Sequence, residues 1–596
     1  MHTFTNKHGS ADSIFTSQRN HLALAKALGI LLGLGASLSI QAENSDPATA
    51  SRTGNSDNQP SSVAAGAPQT DQSTPRFFIK KYRIEGGGHL LPRVEVEAAV
   101  YPYLGPYRTT GDVEQARGAL EQAYRDKGYQ TVTVQIPQQQ VQGGVIELEV
   151  MQGEVGRLRV HGSRYFSIDQ IKREAPSLQE GQSPNFSQVT HDLLVLNGLP
   201  DRRVTPTLRA GEIPGTVDVD LNVKDTLPLH GSLEINNRYS ADTTPLRING
   251  SVSYDNLWQL EHSIGFSFQV SPENPQDVKV FSGYYLARIP DVSWLSLMLQ
   301  GTKQDSNVNT LGGIGVAGKG DVLGGRAIFT LPTQKDFYHS VSLGLDYKHF
   351  TQDESTPDVE ASDQSSSGNS FRFTPITYFP LSAAYSGTWL AKGYETDLNA
   401  AVNLALRGTG SDANDFQNSR FGASGDFIYF RGDLSHTRDF AEGFQLFVKG
   451  QGQASSEPLV PSEEFSGGGL GTVRGLLESE VLGDNALLGT IEMRSPSLGT
   501  FLGKSVDEWR FYVFSDGGIL AVDNPLPETP YAYHLLSVGG GTRIKLFGHL
   551  NGSLDIGVPL VVDSLEAQVP SGSFVENPIR ERPYNGRLTF RVWADF

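Results

Sequence analysis

From Leu229 to Phe596 the chain alternates apolar and polar residues, and it contains no apolar run long enough to span a membrane as a helix. In residues 339–350 (HSVSLGLDYKHF), Val341, Leu343, Leu345 and Tyr347 face one way, while Ser340, Ser342, Gly344, Asp346 and Lys348 face the other. In residues 548–558, Leu550, Gly552, Leu554, Ile556 and Val558 alternate with His549, Asn551, Ser553, Asp555 and Gly557. Similar runs occur in 293–301, 442–450 and 509–516, separated by Gly/Asp/Asn/Ser-rich stretches such as 351–370 and 408–419. Long polar loops and short turns around such strands suit a transmembrane barrel, whose residues face lipid and lumen in turn. At about 23 residues per strand and connection, residues 229–596 would supply about 16 strands.

A soluble β-sandwich would alternate in the same way. Two features favour the barrel. In the final segment RLTFRVWADF, Leu588, Phe590, Val592, Ala594 and Phe596 share one face, and the chain ends on an aromatic. Trp294, Tyr338, Phe350, Tyr378 and Trp389 stand near predicted strand ends, where they could form interfacial girdles.

The N-terminus reads as an export signal. Lys7, Arg19 and Lys26 precede the apolar run Ala27 to Ile40, and Gln41-Ala42 offers a small residue for cleavage, so residues 1–42 are expected to be a signal peptide. A membrane anchor is the alternative, but the run is shorter than the ~18–20 residues a span needs. Residues 43–75 hold few large apolar side chains and read as a flexible linker. The chain has no Cys, in keeping with an oxidising compartment. Its net charge of -18 argues against nucleic acid as a partner.

Between linker and barrel, a small unit occurs twice. In residues 76–153, a strand with Phe78, Tyr82 and Ile84 on it precedes a helix capped by Thr110 or Asp112 and running to Lys127. Val113, Ala116, Leu120 and Ala123 form its apolar stripe, Gly128 ends it, and strands at 131–137 and 144–153 follow. In residues 154–226, the order is a strand at 156–162, helices near 167–175 and 186–197, and strands at 203–211 and 216–225. The fold class expected is therefore mostly β: a C-terminal transmembrane antiparallel barrel over 229–596, preceded by two small α+β domains.

The tract AYRDKGYQTVTVQIPQQQVQGGVIELEVMQGEV resembles the first POTRA (polypeptide-transport-associated) domain of two-partner secretion transporters. This is the TpsB family, which includes haemolysin secretion/activation proteins of the ShlB/FhaC/HecB type. The tract VLNGLPDRRVTPTLRAGEIPGTVDVDLNVKD is similar to the family's second POTRA domain. LEINNRYS (233–240) and SVSYDNLW (251–258) resemble its first barrel strands. Val473-Arg474-Gly475-Leu476 resembles the Val-Arg-Gly-aromatic motif of the sixth extracellular loop, with Leu476 replacing the aromatic. Phe514-Ser515-Asp516-Gly517-Gly518 matches the family's strand motif, which contributes Phe514, Asp516 and Gly518.

Read from the residues alone, alternation puts Arg510, Tyr512, Phe514 and Asp516 on one face, with Trp509, Phe511 and Val513 on the other. The charged face should line the lumen, because charge toward lipid is costly. Arg474 could be an exposed loop residue and Asp516 only a residue of the wall. The resemblance implies instead that they meet inside the barrel and lock the loop there.

No catalytic motif stands out: the chain has no HExxH or GxSxG, the glycines of 538–541 lie among strands, and the His residues lack metal-ligand spacing. The expectation is a non-enzyme without cofactor or metal, localised in the outer membrane with its POTRA domains in the periplasm. The resemblance implies a secreted exoprotein as partner, unfolded in transit, with outer-membrane lipid around the barrel and the barrel assembly machinery inserting it. A factor that inserts other barrels is the alternative; a passive porin would leave 76–225 unexplained.

Overall fold

The computed structural model describes residues 76–596 apart from 88–89, 142, 242, 290–291, 293, 307–308, 311–315, 318, 333–335, 352–374, 527–529 and 566–581. The expected signal peptide, the linker and most of the polar stretch 351–370 lie outside the described residues. The chain divides into two compact units, one ending at Thr226 and one running from Leu227 to Phe596.

The first unit holds two α+β domains. The first contains β1 (Phe77–Ile79), β2 (Lys81–Gly86), α1 (Arg93–Val100), β3 (Gly105–Arg108), α2 (Thr110–Asp126), β4 (Thr133–Gln135) and β5 (Val145–Met151). Its sheet runs β2-β5-β4, with β2 parallel to β5. Leu120 and Tyr124 of α2 pack on Leu148 and Val150 of β5. The second contains β6 (Glu154–His161), α3 (Ile168–Arg173), α4 (Phe186–Leu196), β7 (Arg202–Ala210) and β8 (Thr216–Asp225), in the sheet order β6-β8-β7. The domains meet where α2 ends: Phe186 N–H donates to Gly128 O at 2.8 Å, and Asn185 Nδ2 donates to Lys127 O at 2.9 Å. Gly128 has φ +94, and a Cβ there would stand 2.5 Å from Asn185 Oδ1, so both backbone and contact require glycine.

Three details differ from the sequence reading. The first strand is two strands: Lys80 N–H turns to Gly144 O at 2.7 Å, β1 pairs with β3, and Phe78 is exposed while Ile79 is buried. Thr109 caps α2, rather than Thr110 or Asp112; Asp112 instead completes a capping box as the third helical residue. Helix α1 was not expected, because it follows Pro92, lacks a side-chain cap and fully buries only Val100.

The second unit is a closed antiparallel barrel of 16 strands. Its first eight are β9 (Leu229–Asn236), β10 (Arg247–Leu257), β11 (His262–Val270), β12 (Val278–Arg288), β13 (Leu295–Ser306), β14 (Lys319–Thr330), β15 (Phe337–Thr351) and β16. β16 is interrupted: Ile376–Tyr378 and Leu381–Ala391 both pair with β15. The others are β17 (Tyr394–Ala405), β18 (Phe427–Asp439), β19 (Gln445–Ser455), β20 (Asn485–Arg494), β21 (Val506–Ala521), β22 (Ala532–Leu546), β23 (Leu550–Leu565) and β24 (Arg587–Asp595). β24 closes on β9 over the register Arg591↔Asn236 to Asp595↔Ser232. Leu588, Val592 and Phe596 are exposed on the outer face, while Arg591 and Trp593 are buried on the inner one.

The aromatics divide between the two faces. Trp294 and Trp389 are exposed, and Trp389 stacks on Phe337. Phe350 and Tyr378 do not join a girdle: they are buried with Phe427, Tyr429 and Leu459. Tyr338 shares the inward parity of Asp346 and Lys348. Proximity to a strand end does not fix which face a side chain takes; parity does. Within the polar stretch 408–419, Ala413–Ser419 forms a short helix started by an Asp412/Asp415 capping box.

Candidate functional site: a loop held across the barrel lumen

Residues 456–484 connect β19 to β20 and turn inward. Their short strands Phe465–Gly467 and Val481–Gly483 pair into a hairpin. On one side, buried Glu463 accepts a bond from Tyr429 OH at 2.7 Å and one from Tyr378 OH at 2.6 Å, and pairs with Lys348 of β15. On the other, Gly475 lies against Gly557 of β23, where a Cβ on Gly557 would stand 2.5 Å from Gly475 N. β15 and β23 are eight strands apart in a ring of 16. The loop therefore crosses the lumen from wall to wall.

Arg474 ties the second side of this crossing to the wall. Its Nε donates to Asp516 Oδ2 at 2.7 Å and its Nη2 to Oδ1 at 2.9 Å, a fork-to-fork contact. Its backbone N–H adds a bond to Asp516 Oδ2 at 3.1 Å. Nη1 donates to Glu492 Oε2 at 2.6 Å and lies 3.7 Å from Asp555. The guanidinium carbon stands 3.4 Å from the centroid of the Phe514 ring. Glu492 also meets Arg494 at 2.8 Å and Arg543 at 3.2 Å, and Tyr512 OH donates to Asp555 at 2.7 Å. Three carboxylates and three guanidiniums thus share one buried cluster, on the inward faces of β20 to β23 and the loop.

Strand geometry produces this convergence. On β21, Tyr512, Phe514 and Asp516 are buried, while Phe511 and Val513 are exposed. Asp516 faces Thr490 across the β20–β21 ladder, so Glu492 lies one inward position along on the neighbouring strand. Gly518 admits the wall of β20 closely: a Cβ there would meet Leu487 O at 2.1 Å. Val473 and Leu476 are fully buried with Phe465, Val481, Leu488 and Leu520. Leu476 thus fills an apolar site where the motif has an aromatic.

The sequence motifs named Arg474, Val473, Gly475, Phe514, Asp516 and Gly518, and the structure gathers these six around one contact region. Other anchors went unseen. Arg238, just after β9, holds Glu478 at 2.7 and 3.1 Å. Arg420 holds Asp484 at 2.7 Å and Glu464 at 2.8 Å. Glu492, Asp555 and Lys348 carried a weak signal, as charges on the inward parity of otherwise apolar strands. The loop acids carried none, because a polar loop normally faces water.

Known proteins can now be set beside this geometry. The family described as "POTRA domain, ShlB-type" matches residues 77–153, and "Haemolysin secretion/activation protein ShlB/FhaC/HecB" matches residues 215–544. Outer membrane transporter CdiB of Dickeya dadantii is 24% identical over 184 residues, 31% of this chain and 32% of that protein. Heme/hemopexin transporter protein HuxB of Haemophilus influenzae is 19% identical over 382 residues, 63% of this chain and 64% of that one. The chain thus covers less than two thirds of the length of these relatives. Among solved structures, CdiB from Escherichia coli matches with TM-score 0.61 and 20% identity, covering 89% of this chain and 93% of that one. CdiB from Acinetobacter baumannii matches with TM-score 0.55 and 15% identity, covering 96% and 99%. At these identities the structural likeness concerns the fold. The family match extends over more than half of the chain: it belongs to the haemolysin secretion/activation proteins of the ShlB/FhaC/HecB type, outer-membrane barrels with POTRA domains in the periplasm.

Proposed function

We propose that this chain exports a partner exoprotein across the outer membrane, with residues 456–484 as the gate and Arg474 as its lock. The carrying observation is the buried Arg474–Asp516–Glu492 cluster, which ties a lumen-crossing loop to the wall. An ion-pair lock suits a gate. Its groups hydrate well once separated, and buried charge clusters add little net stability over an apolar core, so once the lock is released the apolar contacts of Val473 and Leu476 are what remain to hold the loop. The POTRA domains would receive the unfolded partner by adding its extended backbone to a sheet edge. Folding or capture of the partner outside would then draw the chain through.

Arg474→Ala tests this reading. Removing one member of a buried, bonded charge set costs about 3–5 kcal/mol, because the others lose their partner. The expected outcome is a barrel that still inserts, as judged by heat-modifiable migration in a gel, and impaired appearance of the partner in the medium. Normal secretion by the inserted variant would sink the proposal. Insertion of other barrels is the second reading; depletion of this chain would then lower several unrelated outer-membrane proteins while leaving export intact.

A further inference from the structure

On the outer face, β15 to β18 carry a band of aromatic and basic side chains at the end where β9 enters the barrel. Phe337 stacks on Trp389 with ring centroids 4.2 Å apart, and His339 Nδ1 lies 3.2 Å from Tyr385 Oη. His436 Nδ1 lies 2.7 Å from Thr396 Oγ1, and the Tyr394 and His436 rings are 6.1 Å apart. Arg438 faces Tyr394 across the β17–β18 ladder, and its guanidinium stands 5.8 Å from the Phe440 centroid. These side chains share parity with the lipid-facing residues Phe430 and Leu434.

Arg438 is the unusual member. It is exposed, and its guanidinium has no hydrogen bond or ion pair among the described residues. Its neighbour Asp439 has the opposite parity and accepts a bond from Gln445 Nε2 at 2.9 Å. Lys392, in the turn between β16 and β17, adds a second exposed cation to this rim. A charge on the lipid face is costly at mid-membrane, and the cost falls toward the interface. Arg438 stands one residue from the end of β18, at the rim of the barrel. A head group at that rim would offer two phosphate oxygens to its planar fork, and the ester and upper acyl region would lie along Trp389, Tyr394 and Phe440.

We propose that Trp389, Tyr394, His436, Arg438 and Phe440 form a binding site for a phospholipid of the periplasmic leaflet, with Arg438 taking its phosphodiester. The site lies on the outer wall, away from the Arg474 cluster, and does not depend on the export reading.

The test is native mass spectrometry of the full-length detergent-solubilised chain titrated with phosphatidylglycerol. Arg438→Gln should lower the affinity of one retained lipid about tenfold, the scale of a lost charge-assisted hydrogen bond. Arg438→Lys should fall between that variant and the parent. Lys504→Gln, which removes an exposed cation elsewhere on the same rim, should bind as the parent does. Heat-modifiable migration would establish that each variant barrel is folded. Equal binding by Arg438→Gln and the parent would overturn the proposal. So would displacement of the lipid by inorganic phosphate at equal concentration, which would mark a site for free anions.

Discussion

At Arg474, shape matters as much as charge. The guanidinium uses its fork on Asp516, its remaining nitrogen on Glu492 and its face on Phe514. A lysine could keep the charge but not all three contacts. Arg474→Lys is therefore expected to fall between the parent and Arg474→Ala in export, as measured by the amount of partner released per inserted barrel. Equality with the parent would show that charge alone suffices. The motif residues Arg474 and Asp516 were legible because their types and order stand out. Glu492 was not, since nothing in the sequence tells which inward acid meets a loop 18 residues away.

At the scale of elements, α2 shows how a local signal and a tertiary one combine. Thr109 and Asp112 cap the helix reciprocally, and the Thr109 N–H and hydroxyl hold the Asp112 carboxyl below its usual range. Thr109→Ala should cost about 1 kcal/mol of helix stability, seen as faster amide exchange in its first turn. Because the Asp112 pKa is lowered in the folded state, its contribution is complete above the unfolded value of about 4 and is lost as pH falls through the folded value. Asp112→Asn should therefore remove the acid-dependent rise in exchange at the first turn; an unchanged pH profile would exclude this origin. Burial pushes the Tyr82 phenol of β2 up to about 12, so it stays neutral across this range. The strand–helix patterns of both small domains were legible from periodicity. The break at Lys80 was not, because it depends on the partner strand β3.

For the whole barrel, closure is the narrowest link. The β24–β9 register spans only Arg591 to Asp595, whereas β21 and β22 pair along almost their full length. Arg591 meets Glu234 across this seam at 3.1 Å through Nε. Arg591→Ala should lower the temperature at which the barrel loses its compact gel mobility, because it leaves the half-buried Glu234 carboxylate without its guanidinium partner across the seam. An unchanged transition would mean that the backbone ladder alone sets closure.

The sequence by itself determined the period of two, the lipid-facing apolar set and the two repeated domains, because these follow from local spacing and side-chain chemistry. It also determined which residues are free to approach closely, through the glycines at 475 and 557. Only the tertiary structure decided that Phe350 and Tyr378 pack against Phe427 and Leu459, and that Glu463, Glu478 and Asp484 are buried anchors. Those outcomes depend on which strands stand opposite one another in a closed ring, and closure is a property of the whole chain.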